Sequence, residues 1–355
     1  MDAAAGGVER ADVMPERVLL VLLGAIGDVV CGMPLAQRLR AGWPRVRITW
    51  VVEPAAAPLL DQHPAIDQVI VFRRGQGTPA LLEVLRALRD SRPDITLDLQ
   101  RHFKSGLFSW ASGAPRRLGF HWRNSREGNW FFNTQTIEPV DTFTLKLTHF
   151  QRFADLLGVD PAPVTFGLAS STVERQRVAR LLGDLNGRPA VLYVGSTWPS
   201  RQWRPAATAA LCRRLREHGL EVVLVGGPGD AAFAEAVREA DAGPLVNLVG
   251  RTGLRDVVAV MERAAVAIGP DTGPMHIATA VGTPVVALFG ATSPLRSGPW
   301  GSTEHVLRGD APCAPCYLPR CPIGQLCMES ITPAMVMERV ERVLAAPVAA
   351  SEGGG

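Results

Sequence analysis

Four stretches of this 355-residue chain carry residue types that can bind or transfer a charged group. The first is Ile268-Gly-Pro-Asp-Thr-Gly-Pro-Met-His276, continuing through Gly282-Thr-Pro-Val-Val-Ala-Leu-Phe-Gly290. Its Gly-Pro turn ends an apolar strand, Asp271 and Thr272 are good N-cap residues, and Pro274 suits a first helical turn. A helix that starts on a glycine aims free N–H groups at one point, which is a seat for an anion and above all for a phosphate. Asp271, Thr272, Gly273 and Pro274 would form that seat, with His276 either facing the phosphate or closing the core. The same pattern also serves a plain strand–helix–strand crossover, so the turn alone leaves both readings open.

The second stretch, Gly24-Ala-Ile-Gly-Asp28, places a carboxylate after the first apolar strand, as a helix N-cap or as a general base. It lacks the full Gly-x-Gly-x-x-Gly, which argues against a nicotinamide dinucleotide site. The third, Thr197-Trp-Pro-Ser-Arg-Gln-Trp203, offers Arg201, whose guanidinium can bond two phosphate oxygens at once. The fourth ends in Asp230, after Gly226-Gly-Pro-Gly, where a carboxylate could accept from a ribose diol or cap the next helix.

Two further features have less specific chemistry. Cys313, Cys316, Cys321 and Cys327 form a C-x2-C-x4-C-x5-C run that suggests a structural metal more than a disulfide pair. The spacing fits no standard zinc pattern, and a local disulfide loop or free thiols stay open. Cys31 and Cys212 stand alone and read as core. Residues 121 to 145 mix basic and aromatic side chains without periodicity, as a loop over a polar ligand would, or an ordinary surface loop with an aromatic anchor. Arg123 and Arg126 are its candidate binding residues. With Arg116 and Arg117 they could meet ligand phosphates or anionic lipid, or be merely solvated.

Composition narrows the class. The 37 basic and 34 acidic residues are scattered and give a formal charge of +3, which does not suggest a nucleic-acid binder. No apolar run reaches the roughly 18 residues needed to span a bilayer. The run Arg17-Val-Leu-Leu-Val-Leu-Leu-Gly24 ends in a glycine turn and reads as a buried strand of a cytoplasmic protein.

The elements that must position these residues alternate along the chain. Strands are expected at Val18–Leu23, Arg47–Val52, Val69–Phe72, Ile95–Leu99 and Arg117–Phe120, with helices between, the first from about Val29. The alternation restarts at Ala190–Val194 and continues through Glu221–Val225, Val246–Leu248, Val266–Ile268 and Val285–Phe289. Such a pattern predicts an α/β protein of two tandem Rossmann-like halves, with ligand in the cleft between them. The expected division is an unstructured start (1–15), a first domain (16–165), a second (166–330), a closing helix (331–347) and an unstructured end (348–355).

The ordered series Gly27-Asp28, Pro34-Leu35, Arg201-Gln-Trp203, Gly226-Gly-Pro-Gly-Asp230, Asp271-Thr-Gly-Pro-Met-His276 and Gly282 to Gly290 resembles the ADP-heptose:lipopolysaccharide heptosyltransferases, glycosyltransferase family 9. Pro294, Gly298-Pro-Trp, the cysteine cluster, Met328 and Ile331-Thr-Pro333 extend the likeness, which covers about Val18 to Val343. The resemblance implies the GT-B fold, with the last helix crossing back to the first domain. It implies inverting transfer of a heptose from ADP-heptose to a lipopolysaccharide inner-core acceptor (Kdo or heptose), with no required cofactor. By the same carry-over Asp28 is the general base, Arg201 stands where the family usually has a phosphate-binding lysine, and Asp230 where it often has a ribose-binding glutamate. Thr272, Gly273 and Pro274 would hold the diphosphate, with Asp271 and His276 supporting donor sugar and turn. The expected partners are thus a nucleotide sugar and a lipid-linked or oligosaccharide acceptor, with peripheral contact at the inner membrane. A different nucleotide sugar, or an acceptor outside lipopolysaccharide, is the alternative.

Overall fold

The computed structural model describes residues 14–185 and 187–345. The ends expected to be unstructured fall outside these residues, apart from Met14 and Pro15. Among the described residues, twelve strands form two six-stranded sheets, parallel throughout. The first sheet holds β1 (Arg17–Val21), β2 (Arg47–Val52), β3 (Gln68–Val71), β4 (Ile95–Asp98), β5 (Arg116–Gly119) and β6 (Gln135–Thr136). The second holds β7 (Ala190–Tyr193), β8 (Val222–Val225), β9 (Val246–Asn247), β10 (Val266–Pro270), β11 (Val285–Phe289) and β12 (Leu307–Arg308).

The strand orders, β3-β2-β1-β4-β5-β6 and β12-β11-β10-β7-β8-β9, are one pattern used twice. In each half the first strand is central, the next two step to one side, and the last three step to the other. The direction reverses between β1 and β4 and between β7 and β10. At those two places the loops part and leave a crevice beyond the carboxyl ends of the strands. The sequence explains the strands directly. Runs such as Val-Val-Leu-Val in β8 and Val-Val-Ala-Leu-Phe in β11 are buried throughout, as strands covered by helices on both faces must be.

The halves meet through helices. The helix Ile26–Gly42 packs on Lys146–Leu156 of its own half and on Gly273–Ala280 of the other. Two glycines permit the second contact. A Cβ on Gly27 would lie 2.7 Å from His276 Cδ2, and one on Gly273 would lie 2.7 Å from Ile26 Cγ2 and 3.1 Å from the Gly27 nitrogen. Val29 and Met33 join Met275 and Ile277 in one apolar cluster that runs through both halves. This packing of Ile26 against Gly273 carries the first helix three residues beyond its expected start, so Asp28 lies within the first turn rather than ahead of it.

The closing helix departs from expectation. Pro333–Ala345 does not lie on the first half: its principal contacts are with the helix Pro205–Glu217 and with β10 and β11 of the second. Its buried stripe of Val336, Met337, Val340 and Val343 belongs to the same apolar cluster as Leu211, Cys212 and Leu215. Those apolar partners hold it where it is.

Candidate active site

Both points of strand reversal open on the same space. Beyond β1 the chain turns into the helix Ile26–Gly42, whose N-terminus carries no side-chain cap. Asp28 Oδ1 accepts a 2.5 Å charge-assisted hydrogen bond from Lys146 Nζ, at the start of the helix Lys146–Leu156. About a quarter of each side chain is exposed, 27% for Asp28 and 24% for Lys146.

Opposite, β10 ends at Pro270 and the helix Gly273–Ala280 begins. Thr272 is extended, and its hydroxyl donates to the Pro270 carbonyl at 3.2 Å instead of capping the helix. The first-turn N–H groups therefore have no side-chain acceptor, and the positive end of the helix faces the cleft. Pro274, buried in that first turn, contributes no N–H of its own.

Asp271 holds this corner together. It is buried, and its Oδ2 accepts from Thr292 Oγ1 at 2.6 Å and from Ser297 Oγ at 3.1 Å. Arg201 Nη1 lies 3.4 Å from the same oxygen and donates to the Asp271 carbonyl at 3.1 Å. The guanidinium also stacks on Trp198, 3.9 Å from the ring centroid. Burial lowers the basicity of Arg201, an effect opposed by Asp271 and Asp28. Arg201 is thereby aimed by three fixed contacts while retaining unused donors.

His276 closes the floor between the halves. Its Nδ1 lies 3.6 Å from Cys31 Sγ. Burial, reinforced by the Asp28 charge, pushes the Cys31 thiol up to about 12, so it stays protonated. Burial likewise pushes His276 below the ordinary histidine range, against the pull of Asp271 and Asp28. A neutral imidazole that accepts from the thiol at Nδ1 carries its proton on Nε2.

Asp28, Arg126, Lys146, Arg201, Thr272 and Arg296 line one open cleft of about 640 Å³. Its charges decide what it can take. Four cations face two carboxylates, and each carboxylate already has a cation beside it, Asp28 with Lys146 and Asp271 with Arg201. With two helix N-termini added, the cleft suits a polyanion beside a carboxylate about a quarter exposed.

Comparison with known proteins places the chain as a whole. The family model for glycosyltransferase family 9 (heptosyltransferase) matches residues 81–326. The chain belongs to glycosyltransferase family 9. The lipopolysaccharide heptosyltransferase 1 of Pseudomonas aeruginosa is 28% identical over 93% of this chain and 99% of that protein. The lipopolysaccharide core heptosyltransferase OpsX of Haemophilus influenzae is 26% identical over 82% of this chain and 84% of that protein. Among solved structures, a family 9 glycosyltransferase from Veillonella parvula superposes with a TM-score of 0.79 at 21% identity, covering 93% and 97% of the two chains. The Escherichia coli ADP-heptose lipopolysaccharide heptosyltransferase II gives 0.73 at 23% identity, covering 92% and 98%. The fold is accordingly GT-B, two Rossmann-like domains facing across a cleft, and the protein is a glycosyltransferase.

Of the residues expected in this family 9 site, Asp28, Arg126, Arg201, Asp271, Thr272, Gly273 and His276 line the cleft. Asp230 does not. Its Oδ2 accepts from the Gly227 N–H at 2.8 Å, and a Cβ on Gly195 would meet that oxygen, so it braces the glycine turn after β8. Arg123 is also outside the cleft lining, its guanidinium 5.3 Å over the ring of exposed Trp122. The cysteine run brings neither metal nor disulfide geometry: all four are free thiols, and no group of three or more His, Cys, Asp or Glu among the described residues is arranged to hold an ion. The run splits instead, with Cys327 buried in the second apolar cluster and Cys313 exposed to solvent.

Sequence reasoning missed Lys146, Arg296, Trp198 and Tyr317, which also line the cleft. One signal could have found the first. The chain has only two lysines, at 104 and 146, against 35 arginines. Where arginine is the default cation, a lysine marks a position needing a compact charge, as at 2.5 Å from a carboxylate. Behind these residues, Arg101 donates to His149 Nδ1 at 2.8 Å and lies 3.8 Å from the Phe120 ring centroid. Burial and the neighbouring Arg101 hold His149 down at about 4, so it is neutral. No helix among the described residues is long and apolar enough to cross a membrane.

Proposed function

We propose that this family 9 enzyme moves a heptose from ADP-heptose to an inner-core lipopolysaccharide acceptor, Kdo or heptose, with inversion and without a required cofactor. One observation carries the reading: Asp28 and the uncapped N-terminus of the helix Gly273–Ala280 line the same cleft from opposite domains. The names of the relatives support the choice of donor and acceptor. Structural neighbours from Escherichia coli include a heptosyltransferase described with ADP and with ADP-2-deoxy-2-fluoro heptose.

The donor diphosphate would sit on the N–H groups of Thr272 and Gly273, with Arg201 bonding its oxygens. The acceptor hydroxyl would attack the anomeric carbon from the Asp28 side. As the new C–O bond forms, the bond to ADP breaks and the hydroxyl proton passes to Asp28. One displacement with one base inverts the anomeric centre. Negative charge grows on the departing diphosphate, where the helix dipole and Arg201 lie in fixed positions to stabilise it. Lys146, bonded to Oδ1, would fix the carboxylate orientation and leave Oδ2 for the proton.

The test uses ADP-heptose and a Kdo-terminated lipid A, following ADP release and the anomeric configuration of the product. Asp28→Asn should lower kcat by about 10²- to 10⁴-fold, the usual worth of a general base. ADP affinity should stay the same or improve, because a negative charge has left an anion site. Parent-like turnover in Asp28→Asn removes this residue as the base, and no ADP release with this acceptor or with its heptose-extended form removes the donor–acceptor assignment.

A further inference from the structure

We propose that an aromatic ridge on the first domain, rimmed by cations, docks on an anionic lipid bilayer beside the mouth of the cleft. The ridge begins on the helix Phe103–Ala111, where Phe103, Leu107 and Trp110 share one face at i, i+4 and i+7. Phe103 and Trp110 are 51% and 58% exposed. Phe132 stands edge-on to Phe103, with centroids 5.2 Å apart, and leads to Phe131 and Trp130, which are 78% and 50% exposed. Scattered surface apolar residues are ordinary, whereas a contiguous aromatic strip of this kind marks an interaction site.

The tip of the ridge is built rather than loose. Asn129 is fully buried beneath it, and its Nδ2 donates to Asp98 Oδ2 at 2.6 Å and to the His102 carbonyl at 2.8 Å. Ser125 Oγ accepts from the Trp130 N–H at 3.0 Å, and Arg117 Nε donates to the Phe132 carbonyl at 2.8 Å. These anchors fix a single helical turn, Asn129–Phe132, that presents Trp130 and Phe131 to solvent. An aromatic pair held outward by buried polar groups has a partner outside the chain.

Charge selects the partner. Residues 99–137 contain one acidic residue, Glu127, against Lys104, Arg116, Arg123 and Arg126, besides Arg101 and Arg117, which turn inward onto His149 and the Phe132 carbonyl. Aromatic side chains interleaved with cations compose a surface that sits at an anionic headgroup layer, the rings at the interface and the cations on phosphate. Arg126 lies four residues before Trp130 and lines the cleft, so seating the ridge brings the cleft mouth to the membrane. The choice of a bilayer rests on the lipid-linked acceptor proposed above. The ridge itself stands independently of that reading.

The experiment is co-sedimentation of the whole protein with phosphatidylglycerol–phosphatidylcholine vesicles and with phosphatidylcholine alone, which needs no turnover and is read separately from the transfer reaction. Binding is expected to the anionic vesicles. It should weaken by roughly tenfold or more in Trp130→Ser/Phe131→Ser, given the large apolar area each ring offers an interface. The melting temperature of that variant should match the parent, because both rings are at least half exposed, and Phe131→Ser alone provides a milder variant of the same kind. The proposal is overturned if the parent ignores anionic vesicles or if the double variant binds them like the parent. It is also overturned if the variant instead dissolves a self-association of the parent with vesicle binding unchanged, which would make the ridge a contact between copies of the chain.

Discussion

The crossing of Gly27 over Gly273 sets the spacing between the two domains, and Gly273→Ala measures how much that spacing matters. The added Cβ would sit 2.7 Å from Ile26 Cγ2, 2.8 Å from Ile26 Cβ and 3.1 Å from the Gly27 nitrogen. Carbon atoms prefer about 3.5–4.0 Å. A rotation of Ile26 could move Cγ2, but its Cβ and the Gly27 nitrogen are fixed to the backbone, so the helices must part by roughly 1 Å. Overpacking of this kind costs about 1–3 kcal/mol, a fall of roughly 1–4 °C in the melting temperature of a chain this long. The larger effect should be on chemistry. Asp28, the proposed base, follows Gly27 directly and the proposed phosphate seat begins at Gly273, so the parting would lengthen the base-to-leaving-group distance. A misplacement of about 1 Å costs on the order of 100-fold in rate. Thermal unfolding and ADP release, measured on the same preparation well below its melting temperature, separate the two effects. Gly229→Ala is the stability control, since a Cβ there meets nothing within 4 Å. Parent-like kcat and melting temperature in Gly273→Ala would refute the reasoning, as would a kcat loss no larger than that of Gly229→Ala.

Other expectations follow from single contacts. Lys146→Met removes the partner 2.5 Å from Asp28 Oδ1 and should lower kcat by about 10- to 100-fold with ADP binding intact, the worth of one charge-assisted hydrogen bond; titration with ADP alongside turnover tests this, and kcat within threefold of the parent rejects it. Arg201→Ala should raise the donor KM, while Arg201→Lys, which restores a cation but loses the fork that reaches both Asp271 and the Trp198 ring, should recover only part of the loss in donor-saturation kinetics. His149 is held at about 4 in the fold, against about 6.5 when unfolded, so between those values the unfolded chain binds the extra proton. Its contribution to stability is therefore intact above pH 6.5 and is lost as pH falls toward 4. His63 and His276, also held down by burial, add to the same acid slope, so His149→Gln should flatten melting temperature against pH only in part.

The fold was legible because its physics is local. Buried parallel strands must be near-continuous apolar runs, and the strands Arg47–Val52 and Val285–Phe289 and the helix Leu254–Arg263 fall where such patterning places them. The proposed donor side stands out in the sequence for a related reason. A phosphate seat made of backbone needs a glycine, a proline and a cap residue in a row, and Asp271 to Pro274 supplies them. Asp230 illustrates the limit of that reasoning. A carboxylate after a glycine turn reads alike whether it faces a ribose or braces its own loop, and here the structure shows the brace, a bond from the Gly227 N–H. The closing helix has the same ambiguity. An amphipathic stripe announces burial but not the surface that buries it, and here Leu211 and Cys212 of the second domain do so.

The other wall of the cleft was legible only at Arg126, because no single stretch encodes it. Arg126 comes from the long loop before β6, Lys146 from the start of a helix, and Arg296 from a short turn after β11 in the opposite domain. None belongs to a spaced motif, since a side-chain cation can reach the cleft from any element that ends there. Bringing like charges together has a cost that the fold must offset elsewhere. Asp28 lies among these cations, and its bond to Lys146 relieves part of the repulsion. Behind it, Arg101 is stacked on Phe120 and bonded to a histidine kept neutral, so that corner gains no second charge. The carboxylate assigned to the chemistry thus also stabilises the cleft. Losing it should unbalance a wall of cations as well as stop transfer, so Asp28→Ala should unfold more readily than Asp28→Asn, whose amide oxygen still accepts from Lys146.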